Sequence, residues 1–288
     1  MPATIGLSAR VQHMQVIGLC RFSYPAIGGF QVAHETVEDR MRYLYQPARM
    51  EERLRLFETV ALPGLKKQTD GDFTFAIVTG TSLPAPYAAR LQALVADMPQ
   101  ARIVSAEPGK MRDVMKQVFR DARHGPRKPV LQFRHDDDDA VSVDFVERLR
   151  QAAEGARGLL ASAGSVAIDY SLGYTASFGP EGITAAETYR PWLGVGLAMY
   201  AGPGVGRSIM NFAHNKMPRH MPALAFSDAP MWVRGHNRYN DSRQGKTGTD
   251  PELLPLSRDQ EREFAMRFAI DADQVRARFA AAAEAPSR

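Results

Sequence analysis

The sequence predicts an α/β fold: a mostly parallel, twisted sheet flanked by helices, joined to a mixed second half. Three observations predict it. From Met14 to about Ala122, short apolar runs alternate with amphipathic helical patterns. Alternation with short connections builds parallel sheets with right-handed crossovers. Next, Val130-Leu131-Gln132-Phe133 runs almost directly into four aspartates, Asp136 to Asp139, the pattern of a buried strand whose end surfaces. Beyond that point glycine-punctuated strand-like runs replace the alternation, as in antiparallel or mixed meanders.

Taken in order, Met1 to Gln12 has no period and is expected to fray. Met14 to Cys20 is the first strand. It leads into Arg21-Phe22-Ser23-Tyr24-Pro25 and the loop signal Gly28-Gly29. Glu51 to Gln68 reads as a helix with Leu54, Phe57, Ala61 and Leu65 on one face. Pro63 should kink it or start a new segment. Phe73 to Thr79 is a strand, Pro86 opens a helix, and Ala101 to Val104 is a short third strand. A well-patterned helix with Met115, Val118 and Phe119 follows Pro108-Gly109. After the aspartates, Asp144 with Glu147 reads as a capping box for a helix carrying Val146, Leu149 and Ala153. Ser165 to Tyr170, Leu193 to Tyr200 and Met231 to Asn240 carry the later strands, and Arg243 to Asp250 reads as mobile. Two capping boxes, Ser257/Gln260 and Asp271/Gln274, predict two C-terminal helices. The organisation expected is one domain: an α/β half over 1–140, a second half over 141–256, and terminal helices over 257–288.

The chain has 288 residues, 44% hydrophobic, which suits a globular protein with a sizeable core. Its net charge of +4 favours anionic ligands without being a nucleic-acid signature. The lone cysteine, Cys20, lies in an apolar run and cannot form an internal disulfide, which points to a reducing compartment. No apolar run is long enough to span a bilayer and no signal-peptide core opens the chain. A cytoplasmic protein is expected, with peripheral membrane contact open to it. Neither Gly-x-Gly-x-x-Gly nor Gly-x-x-x-x-Gly-Lys-Ser/Thr follows the first strand, which argues against a dinucleotide site and a P-loop.

The aspartates carry the chemistry. Adjacent like charges cost about 1 kcal/mol per close pair even in water. A Mg²⁺ or Mn²⁺ ion on a substrate diphosphate would offset that cost. In an extended segment Asp136 and Asp138 would share one side and Asp137 the other. The competing reading is a solvated acidic loop. At the end of the first strand, Arg21 is placed to meet phosphate and Phe22 to meet a base. Lys110, Arg112 and Lys116 open a helix where cations could brace phosphate.

Several stretches together resemble the rhamnosyltransferases of bacteria, glycosyltransferases of the GT-A fold. They are Val16 to Tyr24, Arg53 to Thr59, Leu62 to Asp70 and Gln132 to Ala140. The likeness runs to about Asp241. It implies a GT-A-like sheet and transfer of a sugar, L-rhamnose by the family's description, from a nucleotide-diphosphate donor to a glycan or glycolipid hydroxyl. It implies Asp136 and Asp138 as ligands of Mn²⁺ or Mg²⁺, Asp139 beside the sugar or ribose, and Gly109 beside the donor diphosphate. His236, with His214 as rival, resembles a late metal-ligating histidine. An inverting transferase needs a carboxylate base. Asp228 is the first choice, with Glu187 and Asp169 behind it. Trp192, Tyr189 and Trp232 are candidates to stack on sugars, set against a core role. The rival readings are a sugar nucleotidyltransferase and a non-catalytic sugar- or cation-binding protein.

Overall fold

The computed structural model describes residues 14–28, 34–237, 239 and 251–283. The frayed start expected over Met1 to Gln12 and the mobile stretch expected over Arg243 to Asp250 lie outside the described residues. Among the described residues, seven strands make the main sheet: β1 (Gln15–Arg21), β2 (Thr74–Gly80), β3 (Ala101–Ala106), β4 (Val130–His135), β6 (Ser165–Tyr170), β9 (Leu197–Ala201) and β10 (Ala223–Phe226). Five more, β5 (Ala140–Val141), β7 (Leu172–Gly179), β8 (Gly182–Tyr189), β11 (Trp232–Gly235) and β12 (Leu254–Pro255), make a smaller one. The main sheet runs β10-β6-β9-β4-β1-β2-β3 and the smaller one β12-β8-β7-β11-β5. In the main sheet only β9 is antiparallel to its neighbours. The carboxyl ends of β1, β4, β6 and β10 therefore share one edge, where α/β sheets bind ligands.

Helices cover both faces. They are α1 (Val37–Leu44), α2 (Pro47–Leu56), α3 (Leu62–Lys66), α4 (Ala85–Val95), α5 (Met111–Ala122), α6 (Phe145–Gly155), α7 (Arg157–Ser162), α8 (Arg258–Phe268) and α9 (Ala272–Ala283). The helix expected from Glu51 starts earlier, at Pro47, and α1 had no clear sequence signal. Pro63 lacks an N–H and would clash inside a continuous helix. The chain answers with a π-helical turn over Phe57–Ala61 and restarts as α3. Ser257 and Gln260 do close a capping box on α8. The box expected at α6 does not close: Asp144 makes no side-chain cap bond, and Glu147 accepts instead from Thr69 Oγ1 at 2.6 Å.

Strand alternation sorts side chains onto two faces. Phe133, Ile168 and Ile77 pack under α2 and α6, with Leu54, Phe57, Phe145 and Leu149. Leu19, Val130 and Ala167 pack under α5, with Met115, Val118 and Phe119. By the same alternation Arg21, Arg134 and Asp169 fall on the α5 face at the carboxyl edge. No helix among the described residues is long and apolar enough to cross a membrane.

Candidate active site

β4 ends at His135, and the chain crosses there from the main sheet to the small one. The four aspartates make that crossing as a turn, with the Asp139 N–H donating to the Asp136 carbonyl at 3.3 Å. They make a turn rather than the extended segment expected, and Asp136 and Asp138 both act on the His135 ring. Asp136 is exposed, whereas Asp137, Asp138 and Asp139 are buried.

Arg53 of α2 satisfies two of the buried acids at once. Its Nε donates to Asp137 Oδ2 at 3.0 Å, its Nη2 to Asp137 Oδ1, and its Nη1 to Asp138 Oδ2 at 3.1 Å. Asp138 Oδ2 also accepts from Asn237 Nδ2 at 2.7 Å. Asp139 Oδ1 accepts from the Gly235 N–H at 2.9 Å. Gly235 is required for this approach, since a Cβ there would lie 2.1 Å from the Asp138 carbonyl. The end of β11 is thus seated on the turn, which brings His236 beside the acids along the chain. Its own N–H donates to the Ala176 carbonyl at 2.7 Å.

The charges divide accordingly. Burial and the neighbouring Asp138 and Asp136 push the Asp139 carboxyl well up, against the pull of Arg234. Crowding pushes Asp136 up too, but the guanidiniums of Arg21, Arg234, Arg53 and Arg134 outweigh it and hold that carboxyl below the usual range. Burial lowers His135 to about 4 despite Asp136 and Asp138. Its ring packs edge-on to Phe75, and both ring nitrogens are buried without a close hydrogen-bond partner among the described residues.

The α5 face of the same edge is differently built. Arg134 stands there with Nε and Nη2 buried and no hydrogen-bond partner among the described residues. Burial lowers its pKa, Asp136 raises it, and Arg112 lowers it further, so Arg134 feels both the turn and the first residues of α5. Gly109 lies against the segment after β1: its carbonyl accepts from the Ile27 N–H at 2.8 Å. Lys110 caps α5 with no side-chain bond, and Lys110 and Arg112 are exposed. Lys116 pairs instead with Asp113 at 3.5 Å. Phe22 is fully buried and packs on Phe57, with ring centroids 5.3 Å apart. It is core beneath the site rather than an open platform for a base.

Two strands over, Asp169 ends β6 on this α5 face. Its Oδ2 accepts from Ser171 Oγ at 2.7 Å and from the Trp192 N–H at 3.1 Å, while Oδ1 is buried without a partner. Burial raises its pKa. The Trp192 carbonyl is bonded in turn by His214 Nδ1 at 2.6 Å. The Trp192 backbone is clamped at both ends in a left-handed conformation, φ +59°, a strain non-glycine residues accept only when neighbours impose it. Sequence reasoning ranked Asp169 low because nothing along the chain shows that Leu197 lies opposite it on β9. By continuation of the β4–β9 register, Leu197 also lies opposite Arg134.

Asp228 follows β10 at the same carboxyl edge but lies on the other face of the sheet. It is exposed and paired with Arg148 of α6, beside Tyr170 and Phe226 on the opposite face of the sheet. The Arg148 hydrogen bond holds its carboxyl below the usual range, which weakens it as a base. Glu187 is exposed in β8 of the smaller sheet. Trp232 is core, its Nε1 donating to the Tyr170 carbonyl at 2.7 Å, and Tyr189 is exposed.

A divalent cation needs open carboxylate oxygens. Asp137 and Asp138 are engaged by Arg53 and Asn237, Asp139 is bonded to Gly235, and Asp136 faces four guanidiniums. No three His, Cys, Asp or Glu side chains come together as a metal site among the described residues. As arranged, an ion shared by Asp136 and Asp138 would sit among guanidiniums that already act on Asp136 and bond Asp138.

A mostly parallel sheet with cationic side chains at its carboxyl edge is the class of arrangement in which α/β proteins bind phosphate-bearing ligands. Residues 15–249 match the family model described as "Putative rhamnosyl transferase". The chain belongs to that family. No curated protein matches it. Among solved structures it is similar to S. aureus TarS 1–349, at 12% identity and TM-score 0.43, over 77% of this chain and 60% of that one. It is similar also to the same fragment in complex with UDP-GlcNAc, at 11% identity and TM-score 0.40, over 79% and 60%. A Bacillus anthracis putative glucose-1-phosphate thymidylyltransferase matches at 11% identity and TM-score 0.34, over 76% and 88%. The chain spans about 60% of the TarS fragment. At that distance the ligands of those proteins say nothing direct about this one.

Proposed function

We propose that this protein is a glycosyltransferase of GT-A-like architecture that moves a sugar, L-rhamnose by the family's description, from a nucleoside-diphosphate donor to a hydroxyl of a glycan or glycolipid, with inversion at the anomeric carbon. It would act in the cytoplasm, docking on the membrane where the acceptor is a lipid. The observation that carries this reading is the set of cationic side chains gathered at the carboxyl edge, with the buried carboxylate of Asp169 level with Arg134. Two strand spacings separate them, about 10 Å. Leu197 of β9 lies between them on the same face, so a sugar would sit above it, outside the strand ends.

In this reading Asp169 Oδ1 takes the acceptor hydroxyl's proton. The acceptor oxygen bonds to the anomeric carbon as the bond from that carbon to the phosphate oxygen breaks. The departing diphosphate keeps the electron pair, and arginines meet its charge. The raised Asp169 pKa brings it nearer neutral pH, where a general base works best. Asp228, by contrast, lies three spacings away, about 14 Å, and across the sheet.

The test is thermal shift and transfer activity against a panel of nucleotide-sugars. One donor should stabilise the protein, and Asp169→Asn should abolish transfer while keeping that stabilisation. A protein that responds to no nucleotide-sugar would overturn the reading.

A further inference from the structure

We propose that guanidinium groups, rather than a divalent cation, hold the donor's diphosphate: Arg134 and Arg21, with Arg112 at the opening of α5, take its charge, and the aspartate turn is their buried scaffold. This rests on the donor-transferase reading above.

Three observations point the same way. The buried carboxylates are committed to the protein. An ion entering between Asp136 and Asp138 would have to share Asp138 with Arg53 and Asn237, both of which bond its Oδ2. Positive charge is already in place, since four guanidiniums act on Asp136 and Arg112 and Lys110 stand nearby at the start of α5. Most specifically, Arg134 keeps two buried donors without acceptors. A charged group is rarely left so, because water has been removed and nothing has replaced it. A planar fork of N–H groups matches phosphate oxygens in pairs. At the start of the twelve-residue helix α5 the Met111 and Asp113 N–H groups donate to the Ile27 and Lys110 carbonyls, so the site rests on the guanidiniums rather than on the helix end.

The experiment is calorimetric titration of the full chain with UDP, TDP and GDP, first in excess EDTA and then in Mn²⁺ or Mg²⁺. One nucleoside diphosphate should bind saturably in EDTA, with the metals changing Kd by less than about threefold. Arg134→Leu should weaken binding about tenfold or more, the worth of a charge-assisted bond pair, while its unfolding temperature equals or exceeds wild type. A folding defect in that variant would contradict the idea that Arg134 is unsatisfied without ligand. Arg112→Ala, on an exposed helix position, should weaken binding several-fold without touching the fold. Binding seen only with added metal would overturn this proposal and leave the transferase reading standing. Binding to no nucleoside diphosphate under either condition would overturn both.

Discussion

Two arginines reach the aspartate turn from opposite faces of the main sheet. Arg53 comes from α2, is buried, and spends its fork on Asp137 and Asp138. Arg134 comes from β4 itself, and its Nε and Nη2 lack partners. The same residue type, within one turn's reach, is completed by the protein on one face and left incomplete on the other. The completed side is what a fold needs: acids that close a sheet-to-sheet crossing must be neutralised where water cannot do it. The incomplete side is what a ligand needs, because only an incoming anion can finish it.

Breaking the completed side should give the largest effect. Arg53→Ala leaves two buried carboxylates uncompensated and should cost about 3–5 kcal/mol, read as a lowered urea midpoint. If Arg53→Ala and Arg134→Leu lose equal stability, the contrast between the faces is gone. On the incomplete side, Asp169→Asn should lower kcat by about 10²–10⁴ with little change in donor KM. A fall of less than a few-fold would remove Asp169 as the base.

His135 sharpens the contrast through pH. Its folded pKa of about 4 lies below the free value of 6.5, so the unfolded chain binds the proton first. The stabilisation is present in full above pH 6.5 and is lost as pH falls toward 4. Up to about 3 kcal/mol is at stake. His135→Phe should flatten the stability curve across that window, and an unchanged curve would show that the imidazole does not titrate with unfolding. The smallest effect belongs to the exposed Arg148–Asp228 pair. Asp228→Asn should cost less than about 1 kcal/mol in stability and leave transfer within a few-fold of wild type.

The resemblance and the periodicities together pointed to one edge of the sheet. Arg21, Gly109, Lys110, Arg112 and the aspartates all belong to it, and β11 does deliver the His236 segment to the turn. Sequence reasoning went astray where a residue's role depends on a partner far along the chain. Arg53 read as an exposed helix cation, although its partners are 84 and 85 residues away. Phe22 read as a base platform because nothing nearby shows Phe57 behind it. Asp228 read as a base because no local pattern reveals which face of the sheet a loop leaves from.

By itself the sequence determined the alternation of strands and helices, the terminal capping boxes, and the placing of four acids at the end of a buried strand. Those depend on patterns within a few residues, which backbone geometry and local hydrogen bonds read directly. Only the tertiary structure decided which acids are open and which are sealed, that Arg53 closes the turn while Arg134 stays incomplete, and that Asp169 stands level with it across β9. Strand order and the choice of sheet face are set by packing among distant segments. Charge changes its meaning with burial, because the same guanidinium is a cheap surface group in water and a costly one inside unless an acceptor meets it.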